Sequence, residues 1–420
     1  MNDPESLLLS VFTPEGREDP HPALAELRRR EPVHYNAAFD TYFLTRYADC
    51  QTVLTSSAFA VPDLAWCAGE IPDWRDHPGA EFFYASMLRS NGADHARLRR
   101  LVGGGFSARR VAALRPVVSE LSSELLDGFE AAAGATLPAD DAQDAARGGG
   151  DFQALVAYPL PIAVASRLIG VPRADQDLFQ RLGQDAGRLL EPVRTEDDWR
   201  RADRAVVALR AYFTDLLARR RCEPADDLTS SLLAVRDTDD GRLGESELVD
   251  TLILVLVAGF ETTASLLGLA VHALLTHEDQ WELVRKKPEL ALGAVEEVLR
   301  WDAPVRMTER IALRPFDIGG TTVPAGANVT TVLAAGNRDP LRHPDPDTFR
   351  VEREDIKVLS FGSGPHFCIG AALARMEAAE VVGQLARRLP GLRLAGPAVR
   401  RDSISLRAFA NLPLATTAAG

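Results

Sequence analysis

The stretch Phe361-Gly-Ser-Gly-Pro-His-Phe-Cys-Ile-Gly370 presents one cysteine, Cys368, from a turn-rich loop. After it, the apolar residues Ile369, Leu373 and Met376 recur at helical spacing, so the sequence predicts a helix that begins near Ile369. The thiol would then lie at a helix N-terminus, where free backbone N–H groups and the helix dipole favour the thiolate. A thiolate can bind a metal or attack an electrophile. For a Cys-x-Gly pattern alone, the alternative is a buried structural cysteine.

The whole ten-residue pattern, Phe-Gly-x-Gly-x-His-x-Cys-x-Gly, resembles the haem-binding loop of the cytochrome P450 family, the haem-thiolate monooxygenases. The resemblance implies that Cys368 is the axial ligand of the iron of haem b (iron protoporphyrin IX). It also implies that Phe361, Gly362, His366 and Gly370 contact the haem. Glycines suit such a loop because they allow tight turns and a close approach to a flat ligand.

The composition of the 420-residue chain is ordinary for a globular protein, with 46 % hydrophobic and 25 % charged residues. A net charge of −13 argues against nucleic-acid binding and against docking on an anionic membrane. The four cysteines lie far apart, which indicates free thiols in a reducing cytosol rather than a disulfide framework or a zinc site. The N-terminus shows no basic flank and no cleavage pattern, so we expect a cytoplasmic protein.

A long apolar segment, residues 252–275, is long enough to cross a bilayer. It contains Glu261, and a carboxylate in the middle of a membrane span costs roughly 2.5 kcal/mol or more. We therefore interpret residues 246–276 as a helix in the core of a large protein, where helices are apolar on all sides.

The centre of this helix reads Ala258-Gly-Phe-Glu-Thr-Thr263. A glycine inside a helix costs about 1 kcal/mol relative to alanine, and a buried acid needs partners. Taken alone, the pattern indicates a kink with a satisfied polar pair. It also resembles the oxygen-binding segment of the P450 family, which implies that Ala258 and Gly259 lie over the haem. In that resemblance Glu261 and Thr262 manage protons.

Two further motifs match the family. His95 and Arg99 share one face of a helix that begins near residue 93; alone they indicate a solvated basic face, and the resemblance implies that they bind the haem propionates. The same role is implied for Arg310 and His366.

Glu297 and Arg300 lie three residues apart on one helical face. This spacing is weak evidence alone, because the chain repeats it at residues 26/29, 191/194 and 282/285. The position before Cys368 distinguishes this copy, and the resemblance implies a buried pair. The pair would tie its helix to the segment before the haem loop through Arg353.

The remaining pattern predicts a mainly α single domain over residues 1–420, with a helical bundle around the haem and small peripheral β-sheets. Helices are predicted at 22–30, 47–55, 161–169, 174–190, 197–221 and 226–235. Strands are predicted at 32–35 and 41–45, as a pair around 324–326, and within 392–414. We expect residues 61–93 to be irregular and residues 131–151, rich in Ala, Asp and Gly, to form a surface insertion.

The sequence indicates the substrate less clearly than it indicates the cofactor. By position, the expected lining is Trp66, Phe82, Phe83, Val305, Arg306 and Ser405. Between residues 61 and 90 five acids outnumber two arginines. We therefore hypothesise a bulky, apolar natural product, such as a macrolide or a related polyketide, and extend the hypothesis to amine-bearing examples.

The resemblance implies insertion of one oxygen atom from O2 into a C–H bond or an alkene, with electrons supplied from outside. No flavin or iron–sulfur motif is apparent, so we expect a separate ferredoxin and its NAD(P)H-dependent reductase. We predict that the ferredoxin docks on Arg97 and Arg100, beside Arg109 and Arg110. The alternatives are oxidative coupling, desaturation or rearrangement without net oxygen insertion, and, outside enzymes, a haem-binding regulatory or scaffold protein.

Overall fold

The computed structural model of the protein describes residues 3–133, 150–192, 194–238 and 244–416. Most of the predicted surface insertion lies outside these residues. The helices are α1 (Pro4–Ser10), α2 (Pro14–Glu18), α3 (His21–Arg30), α4 (Tyr47–Thr55), α5 (Leu64–Glu70), α6 (Pro78–Ala85), α7 (Gly92–Gly103), α8 (Ala108–Ala133), α9 (Pro159–Ile169), α10 (Gln176–Gly187), α11 (Glu196–Cys222), α12 (Leu228–Thr238), α13 (Glu245–Thr276), α14 (Glu278–Lys286), α15 (Ala291–Trp301), α16 (Leu333–Gly336) and α17 (Ala371–Arg388). The mainly α prediction is confirmed, and the predicted helices are present with ends shifted by up to a few residues.

The strands are short and belong to four small sheets among the described residues. They are β1 (Val33–Asn36), β2 (Thr41–Leu44), β3 (Phe59–Ala60), β4 (Gly150–Asp151), β5 (Thr308–Ala312), β6 (Phe316–Ile318), β7 (Thr321–Val323), β8 (Asn328–Thr331), β9 (Arg393–Leu394), β10 (Val399–Arg400), β11 (Phe409–Asn411) and β12 (Pro413–Ala415). The largest sheet has the order β1-β2-β8-β5-β3, and its β2/β8 pair is parallel.

The two strands around residues 324–326 are present, but the prediction that they pair with each other is wrong. β7 pairs with β6, and β8 pairs with β5 and β2. The turn itself bonds elsewhere: the Gly326 N–H donates to the Ala312 carbonyl over 2.7 Å. This bond aligns β8 with β5 instead of folding it back on β7.

The expected irregular stretch at 61–93 contains two helices, α5 and α6. Asp63 starts α5, since its carboxylate accepts from the backbone N–H groups of Ala65 and Trp66 at 3.0 and 3.1 Å. Pro78 occupies the first turn of α6, where its fixed φ suits a helix. Asp63 and Pro78 therefore act as helix-start residues in a stretch expected to be irregular.

Helix α13 is the central helix against which several other helices pack. It is long and apolar enough to cross a membrane by length and composition, but 78 % of its most apolar window is buried inside the protein. It packs against α9, α10, α11, α15 and α17. The helix that follows the cysteine loop, α17, therefore packs directly on the long helix.

Candidate active site

The loop before α17 holds Cys368 through backbone geometry. Gly362 and Gly364 have φ angles of 70° and 68°, a region that other residues rarely adopt. Gly364 also lies so close to α4 that an added Cβ would stand 2.6 Å from the Leu54 carbonyl oxygen. The Cys368 N–H donates to the Phe361 carbonyl over 2.8 Å. The cysteine is therefore fixed in position by its own loop.

Cys368 lies two residues before Gly370, the residue that caps α17, so the helix begins slightly later than predicted. The residue is exposed, although protein surrounds it closely enough that burial raises the pKa of its thiol. The backbone N–H groups of Gly370 and Ala371 and the charge of Arg99 act in the opposite direction. The expectation of a lowered pKa is wrong for the protein alone, because desolvation outweighs the helix terminus.

One stripe of α13 is accessible where the rest of the helix is buried. Between residues 251 and 271 only Val255, Ala258, Gly259 and Thr262 are not buried, and their spacing places them on a single face. A Cβ added at Gly259 would meet no described atom within 4 Å. The stripe therefore leaves room for a flat group, and it includes three of the residues predicted to face the haem or the oxygen.

Glu261 and Thr262 point to different surroundings. The Thr262 hydroxyl donates to the Ala258 carbonyl over 2.8 Å. Glu261 is 1 % exposed, and its carboxylate accepts from Arg401 over 2.9 Å. Burial raises the pKa of Glu261, and Arg401 opposes that shift. Arg401 was not predicted from the sequence, because it lies 140 residues away along the chain.

The four residues predicted to bind propionates form one cluster. The His95 and His366 rings are 4.0 Å apart. Arg99 donates to the Phe367 carbonyl over 2.6 Å, which places its guanidinium beside the cysteine loop. Arg310 is 5 % exposed and donates to the neighbouring backbone rather than to a carboxylate. None of the four forms an ion pair with a carboxylate of a described residue.

The field of this cluster is strongly positive. Burial, followed by His95, Arg310 and Arg99, lowers the pKa of His366 to about 3. Burial, followed by Arg89, lowers the pKa of Arg310 to about 10. A positive cluster whose four members form no ion pair with a described carboxylate is suited to an anionic ligand. Together with a thiol and the accessible stripe of α13, it fits a flat macrocycle that carries a metal and two carboxylates.

The Glu297/Arg300 pair is buried and joined to a third residue. The Arg300 guanidinium donates to the Glu297 carboxylate at 2.8 and 2.7 Å, and both side chains are fully buried. Arg353 donates to the same carboxylate at 3.0 Å, the contact expected from the sequence. Arg300 also reaches the carbonyls of Pro346 and Thr348. The pair therefore ties α15 to the segment that leads to the cysteine loop.

The predicted substrate lining is scattered. Phe82 and Phe83 are buried in the main hydrophobic core, and Trp66 packs on Tyr84 with ring centroids 5.6 Å apart. The Ser405 hydroxyl is bonded to the Leu190 carbonyl over 2.8 Å.

Val305 and Arg306 are neighbours in sequence but lie in different surroundings. Val305 forms an isolated bridge with Leu406, whereas the Arg306 side chain is 3 % exposed beside Arg400 and Arg407. Arg306 was predicted to line the substrate site, and its side chain lies among these arginines. Its role towards the substrate stays a prediction.

The excess of acids at 61–90 has protein partners. Asp63 starts α5, Glu81 pairs with Arg210 over 3.0 Å, and Asp73 lies 3.6 Å from His77. On the same segment, Arg89 stacks over Phe83 with its charge 4.6 Å from the ring centroid. Three of the five acids therefore have partners within the protein, which weakens the charge argument for an amine-bearing substrate.

Comparison with known proteins gives one consistent result. The family model described as cytochrome P450 matches residues 69–389. The chain is 38 % identical to vitamin D(3) 25-hydroxylase of Pseudonocardia autotrophica over 412 residues, which cover 94 % of each chain. It is 37 % identical to 6-deoxyerythronolide B hydroxylase of Saccharopolyspora erythraea over 400 residues, covering 93 % of this chain and 94 % of the relative.

Solved structures agree with these relatives. The crystal structure of CalO2 matches with a TM-score of 0.87 at 34 % identity, covering 98 % of this chain and 99 % of that one. P450BioI, in complex with an acyl carrier protein ligated to hexadec-9Z-enoic acid, matches with a TM-score of 0.85 at 30 % identity, covering 96 % and 99 %.

Proposed function

The chain belongs to the cytochrome P450 family, and on that premise we propose that it inserts one oxygen atom from O2 into a C–H bond or an alkene of a bulky, largely apolar natural product. The observation that carries the proposal is the combination of Cys368, the accessible stripe of α13 and the cationic cluster around His366. Haem b bound through a cysteine thiolate supplies activation of O2.

Each part of the site has a role in holding this group. Cys368 would ligate the iron, and binding would release the thiol proton that burial retains in the protein alone. Arg99, Arg310 and His95 would donate to the propionates, aided by His366. The small side chains of α13 would let the long helix lie against the flat ring.

Thr262 and Glu261 would serve proton delivery on the α13 side. The Thr262 hydroxyl lies on the accessible face and can exchange its bond to Ala258 for one to a ligand. Glu261 is held away from that face by Arg401, whose side chain is 30 % exposed. Arg401 is thus placed between the buried acid and solvent, and we assign it the role of positioning the carboxylate.

The substrate class rests on the relatives. Two relatives that share more than a third of their residues with this chain are named as hydroxylases, of 6-deoxyerythronolide B and of vitamin D(3). A macrolide or related polyketide without a required amine is therefore the substrate class we propose, with a role in antibiotic biosynthesis.

The electrons would come from a separate ferredoxin and an NAD(P)H-dependent reductase, and the protein would act in the cytoplasm as a single domain over residues 1–420. The predicted docking face for the ferredoxin changes, because two of its four arginines form ion pairs within the protein. Arg97 pairs with Glu247 over 2.5 Å, and Arg110 pairs with Asp226, whereas Arg100 and Arg109 are exposed. We propose Arg100 and Arg109 as the charged contacts.

The test is product mass. Haem-loaded protein, a ferredoxin and reductase pair, NADPH and a panel of macrolactones are incubated under 18O2, with the Cys368→Ala variant as control. We expect one 18O atom per product from the wild type. Products two hydrogens lighter, or coupled dimers without 18O, would favour the non-oxygenating alternative. Haem binding without any product across the panel would favour a regulatory or scaffold role.

A further inference from the structure

A second basic cluster lies where the two ends of the chain meet. Its guanidinium groups belong to Arg306, Arg400 and Arg407, and they lie beside His21 at the start of α3 and Asp302 at the end of α15. Burial and the charges of Arg407 and Arg400 lower the pKa of Arg306 to about 10. The cluster is therefore compact and largely withdrawn from solvent.

This cluster is distinct from the one beside the cysteine. The groups that act on His366 are His95, Arg310, Arg99 and Arg89, none of which belongs to the second cluster. A ligand at one cluster would therefore not occupy the other.

The charges of the second cluster do not balance among the described residues. Arg407 pairs with Asp302, and Arg400 donates to Glu18 over 3.1 Å and lies 3.7 Å from Asp302. Arg306 forms no ion pair with any carboxylate of the described residues. Three guanidinium charges thus share two carboxylates, which leaves the guanidinium of Arg306 without a paired carboxylate among the described residues.

The carboxylates near the neighbouring arginines do not supply the missing negative charge, because they pair with those arginines. Arg17 pairs with Asp402 at 2.7 Å, and Arg338 pairs with Asp347 at 3.2 Å. These carboxylates are already paired with other cations, and their side chains are mostly exposed.

Several donors in the cluster are buried and have no partner among the described residues. They include Nη2 of Arg306 and Nη1 of Arg400. The ring nitrogens of His21 also form no hydrogen bond to a described residue, although Nε2 lies 4.0 Å from Oδ1 of Asp302. The Arg306 residue is 3 % exposed, which limits its access to bulk water. A buried charged donor left unpaired is strongly destabilising, and several such donors in one place indicate a common acceptor.

We propose that this cluster binds one small monovalent anion of the halide type, with chloride as the natural occupant. The unpaired positive charge of Arg306 sets the sign of the ligand charge, and the burial of Arg306 between the N-terminal and C-terminal segments favours a small ligand. The anion accepts from Arg306 and Arg400 and lies near His21. It holds together three segments that are far apart in sequence, near residues 17–21, 302–306 and 400–407.

The direct test is anomalous X-ray diffraction from crystals of the haem-loaded protein grown in sodium bromide. We expect one bromide peak between the guanidinium groups of Arg306 and Arg400. An ordered water, which has no anomalous signal, or a larger molecule in that density would overturn the proposal.

The second test is thermal unfolding at constant ionic strength, with sodium chloride replaced by sodium gluconate. At a chloride concentration a hundredfold above Kd, we expect the wild-type midpoint to rise by about 3 °C over gluconate. Arg306→Met should lose this dependence, and the exposed Arg109→Met should keep it. Equal midpoints in the two salts for the wild type would overturn the proposal even if Arg306→Met fails to fold. Neither test depends on oxygenation, so the outcome is separate from that of the proposed function.

Discussion

Removal of the Glu297 carboxylate should destabilise the protein by about 3–5 kcal/mol, because it strands a buried charge. The carboxylate accepts two hydrogen bonds from the Arg300 guanidinium. It also accepts from Nε of Arg353 and from the backbone N–H of Arg350. In Glu297→Ala, Arg300 would keep the carbonyls of Pro346 and Thr348 but lose the carboxylate that balances its charge. The expected loss is a large fraction of the roughly 5–15 kcal/mol that stabilises a typical domain.

The chain contains a matched control with the same spacing. Glu282 and Arg285 also lie three residues apart and form an ion pair, but the Glu282 side chain is 46 % exposed. Glu282→Ala should cost about 0.2–1 kcal/mol. The assay is urea unfolding of each haem-loaded variant followed by circular dichroism, with haem content measured in parallel. Equal unfolding free energies for the two variants would refute the argument that burial gives the Glu297 pair its importance.

Four further outcomes are expected. Cys368→His should shift the absorption band of the reduced carbon monoxide complex, and an unchanged band would remove Cys368 as the ligand. Thr262→Ala should bind substrate normally but release peroxide in place of product, measured as product formed per NADPH; unchanged coupling would place proton delivery elsewhere. Glu377 is buried, its Oε2 has no hydrogen-bond partner among the described residues, and burial raises its pKa from the usual 4.5 to about 8. The folded state therefore retains a proton that the unfolded state loses, so stability should fall as pH rises from about 4.5 to 8. Glu377→Gln should flatten this decline in denaturation midpoints, and a parallel decline would contradict the assignment. Arg100→Glu should slow the first electron transfer from an acidic ferredoxin at low salt, whereas a rate equal to that of the wild type would place docking elsewhere.

The cysteine loop could be predicted from sequence because its geometry is local. Within ten residues the chain specifies two glycines with positive φ and a cysteine whose N–H is bonded to Phe361. The long helix α13 could be predicted for a similar reason, since the length and the apolar character of a segment are local properties of the sequence.

Other parts of the site depend on contacts that spacing does not encode. Arg401 reaches Glu261 from 140 residues away, and no periodic pattern connects the two. Arg306 follows Val305 directly, but Val305 packs against a hydrophobic cluster whereas Arg306 lies beside Arg400 and Arg407. The sequence does not say which of the two faces the ligand. The thiol pKa was predicted in the wrong direction because the desolvation of Cys368 depends on the packing around the loop.

The accessible stripe of α13 also has a consequence for engineering. An added methyl group at Gly259 meets no described protein atom within 4 Å, so protein packing does not require glycine there. Alanine would favour the helix by about 1 kcal/mol. Glycine therefore makes the helix less stable at the point where it lies against the proposed ligand site. This is a stability–activity trade-off that depends on the absence of a single methyl group. Gly259 is therefore a position where substitution can reshape the ligand space without a conflict with the packing of the fold.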